Sequence, residues 1–211
     1  MKIPCALKFV SLYTVTVLLL VVSASSVCRA QAHGTVSPEQ VVNELQEALI
    51  QSMREGSALG YQGRFDLLAP VVDRSHDLDF IARTSLGTNW SELTTEQQRT
   101  FKDIFRKLSI ATYAGWFKEH NGQFFEFLEK RTMPRDQVMV RSRLVQSDAE
   151  PVRFDYILRE GKEGWRIVNI LADGVSDLAL KRVEYRAILQ RDGFSKLIDM
   201  LREKIVQAEQ E

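Results

Sequence analysis

Few side chains here can do chemistry, and their spacing does not gather them. The chain carries three histidines, His33, His76 and His120. They lie far apart, whereas a metal centre or a catalytic dyad draws its histidines and thiolates from short, repeated spacings. His33 falls near the N-terminus, His76 precedes a helix cap and His120 follows a long helix, so all three read as surface or capping residues. Asp73, Asp77 and Asp79 form an acidic cluster, but the spacing is not that of an EF-hand loop. Caps and turns explain it better. Asp155 and Tyr156 are raw material for acid–base work, yet neighbours on a strand point to opposite faces. No G-x-S-x-G, P-loop, G-x-G-x-x-G or H-E-x-x-H pattern occurs. Asn89-Trp90-Ser91 matches a glycosylation sequon, a pattern common by chance. No catalytic residue, no metal site and no cofactor are expected, and the chain does not read as an enzyme.

What remains is apolar. Phe125, Phe127, Phe154, Tyr156 and Trp165 fall on candidate inward positions of strands, and Phe101, Phe105, Tyr113, Trp116 and Phe117 fall on one long helix. Core packing and the lining of a ligand cavity use the same residue types, so periodicity alone leaves both open.

The elements that position these residues run as helices, strands, then helices. Ser37-Pro38-Glu39-Gln40 opens the first helix with a cap, a proline at N1 and a capping box. Its apolar stripe is Val41, Val42, Leu45, Ala48, Leu49 and Met53. Gly56 and Gly60 punctuate, and a shorter helix with Phe65, Leu68 and Ala69 is expected to be limited by Pro70. Asp77 caps the next helix, with Phe80, Ile81 and Leu86 inward and Gly87 as its stop. Thr94-Thr95-Glu96-Gln97 opens a long helix that Asn121-Gly122 is expected to end. From Gln123 the period becomes two. Phe125 and Phe127, then Val138 to Leu144, Val152 to Leu158 and Trp165 to Leu171 make four strands, which suits antiparallel pairing. Two helices follow, from about Ser176 to Arg191 and from Phe194 onward, broken at Asp192-Gly193. The expected class is α+β: N-terminal helices, a four-stranded antiparallel sheet and two C-terminal helices.

Composition narrows the function classes. The chain has 211 residues, 45% of them hydrophobic, with Lys+Arg and Asp+Glu both at 28. A phosphate-neutralising nucleic-acid binder would show a basic excess, and none is present. Lys2 and Lys8, the apolar run Phe9 to Val22 and the small residues up to Ala32 have the order of a signal peptide. Cleavage is expected after Ala30 or Ala32, leaving 31–211 as a single domain. Retention as an anchor and lipidation at Cys28 are the alternatives, the latter disfavoured by Val27. Removing residues 1–30 takes away Lys2, Lys8, Arg29, Cys5 and Cys28 and no acid. The exported protein would then have no disulfide and a slightly negative charge.

From Phe80 onward the sequence resembles a known family. Leu86-Gly87-Thr88-Asn89-Trp90, then Thr94-Thr95-Glu96-Gln97-Gln98-Arg99 and Phe105, is similar to the LGxxWxxxTxxQRxxFxxxF stretch of the MlaC/toluene-tolerance family. Tyr113, Val152-Arg153-Phe154-Asp155-Tyr156, Trp165 to Ile170, Asp173-Gly174-Val175-Ser176, Arg182, Tyr185 and Gly193-Phe194 with Leu197 follow in the family's order, with Asn169 where the family usually has Asp. The resemblance covers about residues 38–205 and lies nearer the hopanoid-associated HpnM branch. It implies a periplasmic carrier that moves a phospholipid or hopanoid between inner and outer membranes, in the service of outer-membrane lipid asymmetry. The implied partners are an inner-membrane transporter, of the MCE-type ABC class or a hopanoid exporter, and an outer-membrane acceptor complex. A monomer is expected, with lipid as cargo rather than cofactor and no nucleic acid. The implied cavity between sheet and helices would be lined by Phe105, Leu108, Tyr113 and Phe117 from the long helix. From the strands it would take Phe125, Phe127, Val138, Val140, Leu144, Phe154, Tyr156, Trp165 and Ile167. The alternative is a non-catalytic envelope adaptor with a solid core.

Overall fold

The computed structural model describes residues 36–147 and 149–210; the signal segment and its cleavage sites lie outside them. The element order is α1 (Pro38–Arg54), α2 (Gly56–Ser75), α3 (Leu78–Leu86), a 3-10 turn (Gly87–Glu92), α4 (Thr95–Trp116), β1 (Phe124–Met133), β2 (Gln137–Val145), β3 (Val152–Gly161), β4 (Gly164–Ala172), β5 (Val175–Ser176) and α5 (Asp177–Gln210). The class is α+β. The sheet is an antiparallel meander of five strands in the order β1-β2-β3-β4-β5, not four. The extra strand is the far arm of the Asp173-Gly174 turn, where both central residues have positive φ, 48° and 84°. That geometry matches the twist of a tight hairpin, so Val175 folds back onto Ala172 and Ser176 onto Leu171.

Local chemistry sets most helix starts. The Ser37 hydroxyl accepts from the Gln40 amide while the Gln40 side chain accepts from the Ser37 amide, and Thr94 and Gln97 repeat the exchange for α4. Asp77 accepts from the Phe80 amide at 2.9 Å and starts α3. Two helices are interrupted by glycines in conformations that side chains avoid, α2 at Gly60 (φ 62°) and α5 at Gly193 (φ 81°). α5 is therefore two arms, as the Asp192-Gly193 break implies.

Two expectations about helix ends need correction. Pro70 does not limit α2, which runs on to Ser75. Pro70 is exposed, so the carbonyl one turn back that loses its donor can bond to water, and packing of Leu68 and Val72 outweighs the loss. α4 stops at Trp116 rather than at Asn121-Gly122. Phe117 leaves the helix because its side chain is drawn into the core and its carbonyl accepts from the Ser52 hydroxyl at 2.9 Å. The next backbone unit crosses Gly56, where an added Cβ would sit 1.8 Å from the Lys118 carbonyl oxygen.

One core lies between α1, α2, the end of α4 and the inner face of the sheet, around Leu45, Leu49, Leu68, Tyr156, Leu158 and Ile167. A second joins α3, the start of α4 and α5 through Leu86, Phe101, Phe105, Tyr185, Leu197 and Leu201. Met139, Ile157 and Val168 form a small cluster on the sheet's other face beneath Phe80. The register slips between Ile157 and Leu158 against β4, so Val168 is an extra residue there.

Candidate functional site

Between the two cores the elements do not close. A cavity of about 430 Å³ opens between α4, the β3–β4–β5 end of the sheet and the first turns of α5. That size falls in the ~300–1,000 Å³ range of ligand pockets. α4 presents Phe105, Ser109, Thr112, Tyr113 and Trp116 to it, a spacing that follows one helix face, and Phe117 follows just past its end. The small Ser109 and Thr112 between aromatic rings leave the room. β3 contributes Val152, Phe154 and Tyr156, and β4 contributes Ile167, Asn169, Ile170 and Ala172. Leu49 of α1 and Ile81 of α3 close the inner end. Leu178, Leu180 and Lys181 of α5 border the outer one. The wall is overwhelmingly apolar. Rings run along it in contact, Tyr113 to Phe117 at 6.1 Å, Phe117 to Phe125 at 6.4 Å, Phe125 to Phe154 at 6.1 Å and Phe154 to Tyr156 at 6.1 Å.

Its few polar groups are fixed by neighbours. His76 is buried where the α2–α3 link pairs with Ile167 of β4. The Ser75 hydroxyl lies 2.9 Å from His76 Nδ1, and the Tyr113 hydroxyl lies 3.0 Å from His76 Nε2. Burial pushes the His76 imidazole down to about 4, so it is neutral at ordinary pH. Burial also holds the Tyr113 phenol well above its usual value and pushes Tyr156 up to about 12. The Tyr156 hydroxyl is turned away toward Gln46 of α1, whose amide donates to it at 3.3 Å. At the mouth, Trp116 is 70% exposed, Leu180 60% and Val175 54%. Asp177 and Lys181 form an ion pair beside them.

Asn169 fixes the start of α5. Its Oδ1 accepts from the Ser176 hydroxyl at 3.0 Å and from the Leu178 amide at 3.3 Å. Ser176 in turn caps the helix by accepting from the Ala179 amide at 3.1 Å. The family pattern has Asp where this chain has Asn169. Accepting these bonds takes an oxygen, not a charge, so the amide does the job.

The cavity brings together Phe105, Tyr113, Phe117, Phe154, Tyr156 and Ile167 of the expected lining. Leu108 packs instead into the core between α3, α4 and α5. Val138, Val140, Leu144 and Trp165 face the expected side of the sheet but are packed against the α1–α2 core. Phe125 joins the ring chain and borders a separate groove beside α1. Phe127 sits opposite Ser142 on the edge strand and is 58% exposed. The spacing signal missed His76, Ser109, Val152 and the α5 residues, and Trp116, singled out among the aromatics of the long helix, was not in the expected lining. Small polar positions inside an apolar helix stripe, Ser109 and Thr112, were the readable clue to a void.

The remaining chemistry-bearing residues have structural roles. Asp73 pairs with Arg106, Asp79 with Lys102 and Asp77 with Arg159 along a charged cleft outside the cavity. Among the described residues no group of three or more His, Cys, Asp or Glu is placed to hold a metal ion. Asp155 pairs with Arg141 on the face away from Tyr156, so those two residues do not meet. Asn89 of the sequon is buried. His120 Nε2 lies 3.0 Å from the Gln123 carbonyl, and His33 lies outside the described residues. No described helix is long and apolar enough to cross a membrane.

Comparison with known proteins bears on the family and the fold. The family model described as MlaC protein matches residues 43–203. A solved structure of the phospholipid-binding protein from Ralstonia solanacearum, in complex with a phospholipid, superposes with a TM-score of 0.68 at 26% identity. The match covers 81% of this chain and 95% of that one.

Proposed function

The chain belongs to the MlaC family, and on that premise we propose that it is a periplasmic lipid carrier. It holds the apolar part of a phospholipid or hopanoid in the cavity between α4, β3–β4 and α5, and shuttles it between inner and outer membranes. The observation that carries this is the cavity itself: about 430 Å³ walled by aromatic and aliphatic side chains, with an exposed apolar rim at Trp116, Val175 and Leu180. A solid-core adaptor would have no use for such a space. The Ralstonia solanacearum neighbour, which binds a phospholipid, supports the same reading.

The physics of transport fits. Each buried methylene is worth roughly 0.8 kcal/mol, so a long-chain lipid costs on the order of 10 kcal/mol to pass alone through water. A carrier need not bind more tightly than a bilayer does. A cavity of comparable apolar quality makes exchange near neutral and removes the aqueous barrier. Loading would come from an inner-membrane transporter and unloading would go to an outer-membrane acceptor. The test is mass spectrometry of an organic extract of the exported protein, purified from a bacterium that makes both lipid classes. Near-stoichiometric phospholipid or hopanoid is expected and names the cargo. An extract without lipid, with no uptake from vesicles, would overturn the proposal.

A further inference from the structure

We propose that the cavity selects lipids that carry a hydroxyl group, which docks on the oxygen of Tyr113. This rests on the lipid-carrier reading and specifies its cargo.

Proton direction decides the matter. The Ser75 hydroxyl has one proton, and it donates that proton to the Val71 carbonyl at 2.7 Å. Toward His76, Ser75 therefore accepts, and the ring carries its proton on Nδ1. The imidazole is neutral, so Nε2 has no proton and accepts. The contact at 3.0 Å then takes the only proton of the Tyr113 hydroxyl. Tyr113 and His76 both line the cavity, and the Tyr113 oxygen, its proton given to His76, is left as an acceptor with lone pairs to offer. The other hydroxyls of α4 are committed the same way. Ser109 donates back to the Phe105 carbonyl at 2.9 Å and Thr112 to the Leu108 carbonyl at 2.8 Å. The polar capacity along α4 is therefore acceptor-only. An ester or ether oxygen, which also only accepts, gains nothing there and loses its water, whereas a hydroxyl brings the missing donor. The cavity's donors, Asn169 and Lys181, come from β4 and α5, so the α4 wall around Tyr113 offers one sign of hydrogen-bonding group and discriminates there by what the ligand lacks.

The test is displacement of a fluorescent reporter, 1,8-anilinonaphthalenesulfonate, from the delipidated exported protein by 1-dodecanol and by its methyl ether. The alcohol-to-ether affinity ratio is measured in the wild type, in Tyr113→Phe and in Tyr61→Phe, so that intrinsic hydrophobicity cancels between proteins. The ratio is expected to drop roughly tenfold in Tyr113→Phe, the factor set by one hydrogen bond of about 1.4 kcal/mol. It should hold in Tyr61→Phe, whose ring packs on Phe65 of α2 and is not part of the cavity lining. An unchanged ratio in Tyr113→Phe overturns the proposal. Displacement by neither ligand overturns the carrier reading beneath it, a distinct failure. Should Tyr113→Phe fold poorly, nitrogen NMR of His76 in the wild type decides. The alcohol must shift Nε2 more than the ether does, and equal shifts refute docking on Tyr113. A monoacylglycerol and a polycyclic alcohol, each against its O-methyl form, show by the same ratio which hydroxylated class is admitted. No preference in either refutes selection among natural lipids.

Discussion

Substituting Ser109 with phenylalanine plugs the cavity from the middle of its α4 wall. At roughly 30 Å³ per carbon-sized group, the volume one water takes in the liquid, a cavity of about 430 Å³ holds about fourteen methylenes of one chain. A phenyl ring in place of a hydroxyl removes roughly a third of that room, or about five methylenes. At roughly 0.8 kcal/mol each, that is about 4 kcal/mol of lost burial in a rigid wall. Partial relaxation of the mouth, where Trp116 and Leu180 are exposed, returns some of it. The expected loss of affinity for a long-chain lipid is about 100-fold, or ~2.7 kcal/mol. Folding should suffer little. The new ring enters empty space rather than a packed core, and the lost hydroxyl bond returns only to α4's own Phe105 carbonyl. The assay is titration with a fluorescent fatty acid, with thermal unfolding followed by circular dichroism. Affinity within threefold of wild type, at an unchanged melting temperature, would refute this cavity as the binding site.

Other perturbations test the frame that holds the cavity. Gly56→Ala drives a Cβ to 1.8 Å from the Lys118 backbone oxygen, so urea unfolding should show a loss of about 3 kcal/mol or more. Asn169→Asp keeps the oxygen that accepts from Ser176 and Leu178 and adds charge at a helix N-terminus, so stability should stay within about 1 kcal/mol of wild type. Asn169→Ala should cost about 1 kcal/mol and speed hydrogen exchange at Leu178. His76, lowered by burial from 6.5 to about 4, stays neutral in the fold while the unfolded chain takes up a proton. Its contribution is therefore fully present above pH 6.5 and is lost as pH falls toward 4, a decline of about 3 kcal/mol in unfolding free energy. Urea midpoints from pH 7 to 4 should show that limb, and His76→Gln should flatten it.

The parts legible in the sequence are those set locally. Ser37, Asp77 and Thr94 cap helices with their own side chains a few residues on, and alternation placed Val140, Leu144, Tyr156 and Leu158 on the inner face. The Asp173-Gly174 turn was visible too, although the two-residue strand beyond it was not. What escaped depends on partners distant in the chain. The end of α4 is fixed by Ser52 and the bare face of Gly56. Which inner-face residues line space rather than core depends on how the helices pack over the sheet: Leu144 is buried in the α1–α2 core, whereas Phe154 borders the cavity. His76 looked like an ordinary capping neighbour, because nothing near it in sequence announces Tyr113, 37 residues on.

Transfer between membranes tests the proposed function most directly. Donor vesicles carry a fluorescent phospholipid with a quencher, acceptor vesicles carry neither, and a size barrier keeps the two populations from touching. With the exported protein free to cross, dequenching should rise in proportion to its concentration and fall about 100-fold with Ser109→Phe. Transfer no faster than in buffer alone, from a protein shown to be folded, would contradict a carrier function.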